Sequence, residues 1–243
     1  MRRRREIVFF LVAWVVALVA PALAQNAGPW KQEVAAGYSQ QTGNTQNSKF
    51  TGNYEGTRKT DQDELLLKAG TLYSTQNKKM DGQKTSGSAR YAPTMGDTQW
   101  YNFCKAEADH DRFASIDYRI LPSVGIGYWF SDTEDWKAQA DIGLGYEYTN
   151  YNTGTDDESL VLIPHGLFEK ALFENSKISE DFTWYPSLED AKVYRLRSET
   201  RFTSALSQAL ALRASFIEEF NTDPLGDKKK NDTQLILALV CSF

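Results

Sequence analysis

Charged side chains recur at every second position in several segments of the chain. Between Arg195 and Arg201, three arginines and Glu199 occupy alternate positions. Because successive side chains of a β-strand point to opposite faces, this spacing places all four charges on one face. The same alternation predicts one charged face for Asp117, Arg119, Asp141, Glu147, His165, Arg195, Arg197, Glu199, Arg201, Arg213 and Glu219. A wider set on that face adds Lys68, Arg90, Lys105, Glu107, Glu169 and Asp181.

A charged face of this kind supports two interpretations if the strands close into a barrel. Oppositely charged side chains can form a network of ion pairs that fills a narrow barrel and closes it. Alternatively, they can form a charged constriction that selects ions or small solutes, as rings of charge do in pores. Barrel diameter rises with strand number, from filled eight-stranded barrels to open porins. Both interpretations stay open for an intermediate strand number.

The two histidines are the candidates for acid–base catalysis. His110 lies between Asp109 and Asp111, which could orient its imidazole as a general base. His165 has no serine two residues on, where a barrel phospholipase would place one, and neither histidine has the Asp-x-His spacing of outer-membrane proteases. We therefore predict that the protein is not an enzyme and has no catalytic residue or cofactor.

Two acidic clusters offer oxygen atoms of the kind that divalent cations prefer, at residues 109–111 and 156–158. Neither cluster contains a complete set of ligands. We interpret both as solvated loop tips and predict no metal site.

The segments that carry these charges alternate with period two and include no helix-period segment of useful length. Residues 138–148 alternate apolar and aromatic side chains with charged residues and glycine. Ile116, Tyr118, Ile120, Val124, Ile126, Tyr128 and Phe130 likewise share one parity, opposite Asp117 and Arg119. Apolar side chains outside and charges inside are typical of a transmembrane barrel, and aromatic girdles mark its two rims. The predicted girdle residues are Trp30, Tyr38, Tyr73, Trp100, Phe130, Trp136, Tyr148, Tyr151, Trp184, Tyr185, Phe220 and Phe243.

The connections between these segments alternate between short and long. The short ones are predicted at residues 58–63, 94–99, 131–137, 173–177 and 204–208, and the long ones at 41–48, 76–86, 108–115, 150–158, 187–192 and 221–232. Short periplasmic turns and long extracellular loops have this pattern. The predicted fold class is therefore all-β, a transmembrane antiparallel up-and-down β-barrel of about 12 strands with both termini periplasmic. Ten strands remain an alternative, because residues 49–57 and 84–93 are rich in glycine, serine and threonine.

The first 24 residues have the pattern of an export signal. Arg2 to Arg5 form a charged region, residues 7–20 an apolar stretch, and Ala22-Leu23-Ala24 an A-x-A cleavage site. We predict cleavage after Ala24, which leaves residues 25–243 as the barrel. The predicted location is the outer membrane, with its lipid and lipopolysaccharide as partners.

The last strand-length segment, Thr233 to Phe243, resembles the C-terminal signal that barrels present to their insertion machinery. One face of this segment carries Leu235, Leu237, Leu239, Cys241 and Phe243. We expect periplasmic chaperones and the insertion machinery to be partners during assembly. Cys241 shares the parity that faces lipid. We therefore favour two free thiols over a disulfide between Cys241 and Cys104.

The charge of the chain argues against nucleic acid as a partner. The full chain carries −5, and removal of residues 1–24 takes away four arginines and one glutamate, so the mature chain carries about −8. Nucleic-acid binding requires a basic footprint. Lys228 to Lys230 form the main basic run, which we interpret as a solvated loop or a contact for lipopolysaccharide phosphates.

Several motifs resemble the YdiY-like family, a domain of unknown function labelled as salt-induced outer membrane proteins. They are the stretch 110–119 with Asp111, Arg112, Phe113, Asp117, Tyr118 and Arg119, the segments 37–39, 42–45 and 196–199, and the run 221–243. The resemblance covers nearly all of the mature chain. It implies an outer-membrane barrel associated with salt or envelope stress, and no reaction. Cys104 and the polar segment 88–93 depart from what we expect of the family.

Overall fold

A computed structural model describes residues 30–41, 47–77, 79–226 and 228–243. The predicted signal peptide lies outside these residues. They form 12 strands: β1 (Trp30–Gln41), β2 (Asn47–Lys59), β3 (Asp63–Gln76), β4 (Lys79–Pro93), β5 (Trp100–Asp111), β6 (Ile116–Asp132), β7 (Trp136–Tyr151), β8 (Asp156–Phe173), β9 (Ser176–Pro186), β10 (Tyr194–Ala205), β11 (Leu210–Asn221) and β12 (Asn231–Ser242). In this part of the chain no helix is long and apolar enough to span a membrane.

The strands form one closed antiparallel barrel in which each strand pairs with its neighbours in sequence and β1 pairs with β12. This confirms the predicted fold class. The ten-stranded alternative is wrong, because the polar strands β2 and β4 are paired on both sides. Antiparallel pairing satisfies backbone hydrogen bonds whatever the side chains are, so polar composition does not prevent strand formation.

Side chains alternate between an apolar outer face and a polar interior. On β7, Ile142 and Leu144 point outward and are 46% and 47% exposed, whereas Gln139 and Thr149 on the other parity are buried. The predicted girdle residues Trp100, Trp136 and Trp184 are also exposed. Three other predicted girdle residues, Tyr151, Tyr185 and Phe220, instead border the interior cavity. For Tyr151 and Tyr185, the parity of their strands, rather than their position near a strand end, decides this.

Several predicted long loops are strand in the structure. The expected loop 76–86 is almost entirely part of β3 and β4, which pair as far as Gln76 and Lys79. Asn77 follows β3 with a positive φ of 51°, a conformation that asparagine tolerates better than most residues. Residues 108–111 likewise belong to β5. Strands that extend beyond the bilayer meet water on both faces, so they lose the apolar alternation that marks them in sequence.

The position of Asp117 also differs from the prediction. The pairing of β6 with β7 shifts between Ile116 and Tyr118, where one extra residue interrupts the register. Such a bulge reverses which face the preceding residues occupy. Ile116 therefore lines the interior, and Asp117 is exposed outside it. The prediction of Asp117 as an interior charge, and of Ile116 as an outward residue, is wrong for this reason.

Aromatic side chains of β5 fill part of the interior above glycines of β6. Tyr101 pairs directly with Gly127 and Phe103 with Gly125. A Cβ atom on Gly127 would lie 2.2 Å from the Tyr101 ring, and one on Gly125 would lie 2.5 Å from the Phe103 ring. Only glycine leaves room for these rings against the strand.

Candidate functional site: the charged lumen

The interior contains a cavity of about 780 Å³ that extends along the barrel. We call the end where β1 begins and β12 ends the terminal end. Lys137 and Lys177 line the cavity near the terminal end, and Lys228 to Lys230 line it at the opposite end. Strands on all sides of the barrel contribute side chains between these limits. The cavity is therefore the candidate site, and we call it the lumen.

Most of the predicted interior charges line this lumen. They are Arg119, Asp141, His165, Arg195, Arg197, Glu199, Arg201 and Glu219, together with Lys68, Arg90, Lys105, Glu107, Glu169 and Asp181. Glu147 and Arg213 do not border the cavity itself, but both pair with other charged side chains. Asp117 is the predicted charge that the structure places elsewhere.

His165 lies at the centre of a cluster formed by three neighbouring strands. Its Nδ1 is 2.9 Å from Asp141 Oδ2 on β7, and its Nε2 is 3.4 Å from Asp181 Oδ1 on β9. The Tyr101 hydroxyl donates to Asp141 Oδ2 at 3.0 Å. Both ring nitrogens of His165 therefore face carboxylates.

Three ion pairs connect this side of the barrel with the wall formed by β2, β3 and β4. Lys68 Nζ lies 3.6 Å from Asp181 Oδ2, and Arg90 Nη2 lies 3.5 Å from Asp141 Oδ2. Arg201 Nη1 of β10 lies 3.6 Å from Glu55 Oε2 of β2. In each pair the two strands are separated by at least two others around the barrel. The side chains therefore bridge the lumen rather than run along one wall.

The charged row on β10 pairs within its own strand. Glu199, which is 7% exposed, accepts hydrogen bonds from Arg197 Nη2 at 2.7 Å and from Arg201 Nε at 2.6 Å. Residues two apart share a face, so one carboxylate lies between two guanidinium groups. This separates the two positive charges and compensates for the burial of Glu199.

A second group of ion pairs lies toward the opposite end. Glu147 pairs with Arg195, and Arg119 Nε lies 3.7 Å from Glu147 Oε1. Lys84 of β4 crosses to Glu219 of β11, where Nζ and Oε2 are 2.5 Å apart. Arg119 of β6 and Glu147 of β7 thus pair between adjacent strands, whereas Asp141 of β7 pairs with Arg90 and His165.

Sequence reasoning missed several charges that take part in this network. Lys84, Asp109 and Asp111 were expected in loops, but they lie on β4 and β5 and line the lumen. Lys84 Nζ is 3.4 Å from Asp111 Oδ2, and Asp109 Oδ2 is 3.8 Å from Arg119 Nη1. Asp109 and Asp111 are spaced two apart, which was the available signal for a strand.

The catalytic and metal candidates have ordinary surroundings. The Nδ1 atom of His110 is 2.7 Å from the Asp117 carbonyl oxygen, on an exposed part of β5. Within the described ranges, no group of three or more histidine, cysteine and acidic residues could hold a metal ion. Cys104 and Cys241 both carry free thiols.

The motif residues divide between the two faces: Asp111, Phe113 and Arg119 line the lumen, whereas Arg112, Asp117 and Tyr118 do not border it. Arg112 and Phe113 follow β5, and Tyr118 packs against Tyr148 with ring centroids 5.9 Å apart. The insertion-signal side chains project from the outer face of β12 and the chain end, and Leu235 is 73% exposed. They are Leu235, Leu237, Leu239, Cys241 and Phe243.

A closed barrel of antiparallel strands with an apolar outer face and a polar interior is the architecture of outer-membrane β-barrel proteins. Solved structures with this fold include the NanC porin, which is 12% identical over 86% of this chain and 98% of that one, with a TM-score of 0.52. An outer-membrane channel of Pseudomonas putida F1 is 9% identical over 90% of this chain and 96% of that one, also with a TM-score of 0.52.

The chain belongs to the family described as Protein of unknown function, DUF481, whose sequence profile matches residues 34–243. The Escherichia coli K12 protein named Uncharacterized protein YdiY is 23% identical to it over 204 residues. That match covers 84% of this chain and 78% of the relative. The family assignment agrees with the resemblance carried by the sequence motifs.

Proposed function

We propose that the protein is an outer-membrane channel whose narrow, charged lumen passes inorganic ions and small polar solutes. The observation that supports this is the cavity lined by charge from Lys177 at the terminal end to Lys228 at the other. At about 30 Å³ per water in the liquid, its volume has room for on the order of 25 water molecules. A hydrated path lined by both signs of charge suits ions better than apolar solutes.

The proposed orientation places the terminal end in the periplasm. The apolar outer face then meets the hydrocarbon, and Lys228 to Lys230 lie at the extracellular mouth. At that mouth they can contact lipopolysaccharide phosphates or attract anions into the lumen. Assembly with the help of periplasmic chaperones and the barrel-insertion machinery is part of this proposal.

A closed barrel is the second candidate, and the three ion pairs that bridge the lumen favour it. Side chains held across the path reduce its cross-section, so we expect a conductance well below that of open porins. Planar-bilayer recording of refolded protein separates the two candidates. Steady single-channel current supports the channel, and its absence from correctly folded protein supports the closed scaffold.

Replacing Arg197 with glutamate tests whether lumen charge controls the current. Arg197 is the most exposed of the β10 arginines, and Arg197→Glu changes the lumen charge by two units. We expect the ratio of K⁺ to Cl⁻ permeability to rise several-fold, about fivefold for each kcal/mol of added attraction to the cation. The measurement is the reversal potential in a KCl gradient.

Arg112→Glu is the matched control for this experiment. It makes the same charge change at an exposed residue just after β5 that does not border the lumen. Its selectivity should stay close to that of the unmodified protein. Equal shifts in the two variants would contradict a charged constriction.

A role in salt or envelope stress follows from the family label and belongs to the same proposal. A narrow ion path in the outer membrane would help equilibrate the periplasm after a change in external salt. Deletion of the gene should slow recovery from a sudden rise in NaCl, and the unmodified gene should restore it. The proposal includes no catalytic step.

A further inference from the structure

We propose that the wall between β1 and β12, in its part away from the terminal end, is a lateral opening through which the alkyl chain of a phosphate-bearing membrane lipid enters the lumen. This lipid-binding function goes beyond the proposed ion path and does not require the barrel to conduct. It follows from the pairing of the two strands, from the side chains on both of their faces and from the lysines next to them.

The first and last strands pair with each other over only part of their length. Their pairing ends at Ala36 and Leu239, and among the described residues it does not resume beyond them. β1 continues to Gln41 and stays paired with β2, and β12 begins at Asn231 and stays paired with β11. Each strand therefore has one bonded edge and one open edge in this stretch, which we call the lateral opening.

Open strand edges need polar partners in a membrane. Backbone N–H and C=O groups do not face hydrocarbon without a hydrogen bond, because the bilayer core contains no water to satisfy them. Water from the lumen or the head group of a bound lipid can supply these hydrogen bonds. A molecule with a polar head group and an alkyl chain therefore suits a gap that lies between the lumen and the bilayer.

The outer side of the lateral opening is apolar and exposed. Leu235 and Leu237 are 73% and 70% exposed, whereas Leu239, at the end of the paired part of β12, is 49% exposed. Tyr38 on β1 is also exposed on this face. No paired neighbour covers Leu235 and Leu237 on the β1 side, so lipid chains have access to the edge of the wall.

The inner faces of the two strands carry an uncharged strip beside the lateral opening. Ala35, Ala238 and Val240 are buried there and pack with Ile236. Gly37 continues this strip, because a Cβ atom on it would lie 3.4 Å from Ile236 Cγ2. Charged side chains line much of the remaining lumen wall. The strip is thus the part of the wall that suits an alkyl chain.

Three lysines lie where the head group of such a lipid would be. Lys228, Lys229 and Lys230 immediately precede β12 and line the lumen mouth next to the lateral opening. Lysine ammonium groups bind phosphate as point charges. The lysines therefore complement the charge of the head group, while the uncharged strip complements the chain.

Photolabelling in lipid vesicles tests this route. The probe is dodecyl phosphate with a photoreactive diazirine at the end of its chain, and mass spectrometry locates the labelled residues. A chain that enters through the lateral opening should label inward residues of the two strands, namely Ala35, Gly37, Ile236 and Ala238. Labelling of outward residues alone, such as Leu235, would mean that the chain stays in the bilayer, and it overturns the inference.

A disulfide across the lateral opening tests whether the chain passes between the strands. Tyr38 and Leu237 are opposite each other if the register of the paired part is continued. In Tyr38→Cys/Leu237→Cys, made together with Cys241→Ser, oxidation should abolish inward labelling and reduction should restore it. The matched control is Val34→Cys, whose disulfide with Cys241 lies in the paired part, so inward labelling should survive oxidation.

Inward labelling that persists after the Tyr38→Cys/Leu237→Cys disulfide has formed means that the chain enters through the mouth, and it overturns the lateral route. If this disulfide does not form, Ile236→Lys decides, because a charge on the uncharged strip should remove inward labelling. Leu66→Lys makes the same change on the lumen wall at β3 and should not remove it. Equal inward labelling in the two lysine variants overturns the inference.

Excess inorganic phosphate distinguishes the head group from the chain. It should leave inward labelling in place, whereas complete displacement of the probe would assign binding to the lysines alone and overturn the inference. A heat-dependent gel shift establishes folding of each variant. Single-channel current of the unmodified protein measures the proposed ion path separately, so either proposal can fail without the other.

Discussion

Glu180 is a carboxylate on the outer face of the barrel, where lipid is expected. It accepts hydrogen bonds from the hydroxyls of Ser198 at 2.6 Å and Thr200 at 2.5 Å. Around it, exposed aromatic side chains project from the same face, namely Phe168, Phe182, Phe202 and Phe216. Charged groups on the lipid face of a barrel are destabilising to an extent that depends on depth. The two hydroxyls reduce this penalty, but they do not supply a counter-charge.

Glu180→Gln should therefore stabilise the folded barrel. Glutamine keeps an oxygen for the hydroxyls and removes the ionisable group from the lipid face. We expect the free energy of unfolding to rise by on the order of 1 kcal/mol. Urea unfolding in lipid vesicles, followed by tryptophan fluorescence, measures the change.

Glu218→Gln serves as the comparison for Glu180→Gln. Glu218 also lies on the outer face, near the end of β11, and accepts a hydrogen bond from Asn231 at 3.0 Å. Near the rim of the bilayer, the cost of a charge falls toward zero, so the stability should change little. A loss of stability in Glu180→Gln would mean that the ionised carboxylate holds a cation or another partner.

Strand parity predicted which charges face inward, but bulges and ring packing modify that pattern. One extra residue at the start of β6 reverses the faces of Ile116 and Asp117. In the structure, Gly125 and Gly127 of β6 accommodate the rings of Phe103 and Tyr101 of β5. Tyr101, placed by Gly127, then reaches Asp141 and the His165 cluster. The position of a glycine on β6 therefore determines where a tyrosine of β5 can reach in the centre of the lumen.

Gly127→Ala should weaken the barrel through this contact between strands. The new methyl group would lie 2.2 Å from the Tyr101 ring, so the ring must move and its hydrogen bond to Asp141 must lengthen. Overpacking of this kind costs about 1–3 kcal/mol. Gly166→Ala on β8 is the control, because its added methyl would meet only the Gln139 carbonyl oxygen, at 3.9 Å. Equal unfolding midpoints for the two variants in urea would contradict the ring packing.

The barrel closes through a short seam between its first and last strands. β1 and β12 are paired from Glu33 to Ala36 on one side and from Leu239 to Ser242 on the other. The backbone of Phe243 adds two hydrogen bonds with Gln32, each 3.0 Å long. The terminal aromatic residue that indicates the insertion signal thus also extends the closure of the whole molecule.

Val34→Cys tests this closure, because Val34 lies directly opposite Cys241 across the seam. Both side chains are exposed on the outer face, and directly paired antiparallel residues have Cα atoms about 4.5–5.5 Å apart, within reach of a disulfide. Mild oxidation of the folded variant should join the two ends of the chain. The boiled protein should then migrate faster on a non-reducing gel than on a reducing one.

Ala36→Cys is the control for the seam, since Ala36 lies opposite Leu239 rather than Cys241. It should keep two more reactive thiols than the oxidised Val34→Cys protein and show no change in migration. Cross-linking in Ala36→Cys but not in Val34→Cys would mean that the seam has a different register.

Periodicity, the alternating loop lengths, the export signal and the terminal aromatic residue were together sufficient to predict an outer-membrane barrel of about 12 strands, most of its inward charges and its terminal strand. The alternation of apolar and polar side chains is a property of each strand by itself, so it can be recognised in the sequence without knowing which strands pair. Tertiary structure decided what local pattern does not determine: the bulge that turns Asp117 outward, the pairing of β3 and β4 through the expected loop 76–86, and the partners of each charge. Lys68 meets Asp181, Arg90 meets Asp141 and Arg201 meets Glu55 only because the curvature of the closed barrel brings strands that are not neighbours within reach of one another. Ion pairs between strands distant in sequence depend on the width and register of the closed barrel, and no single strand encodes either quantity.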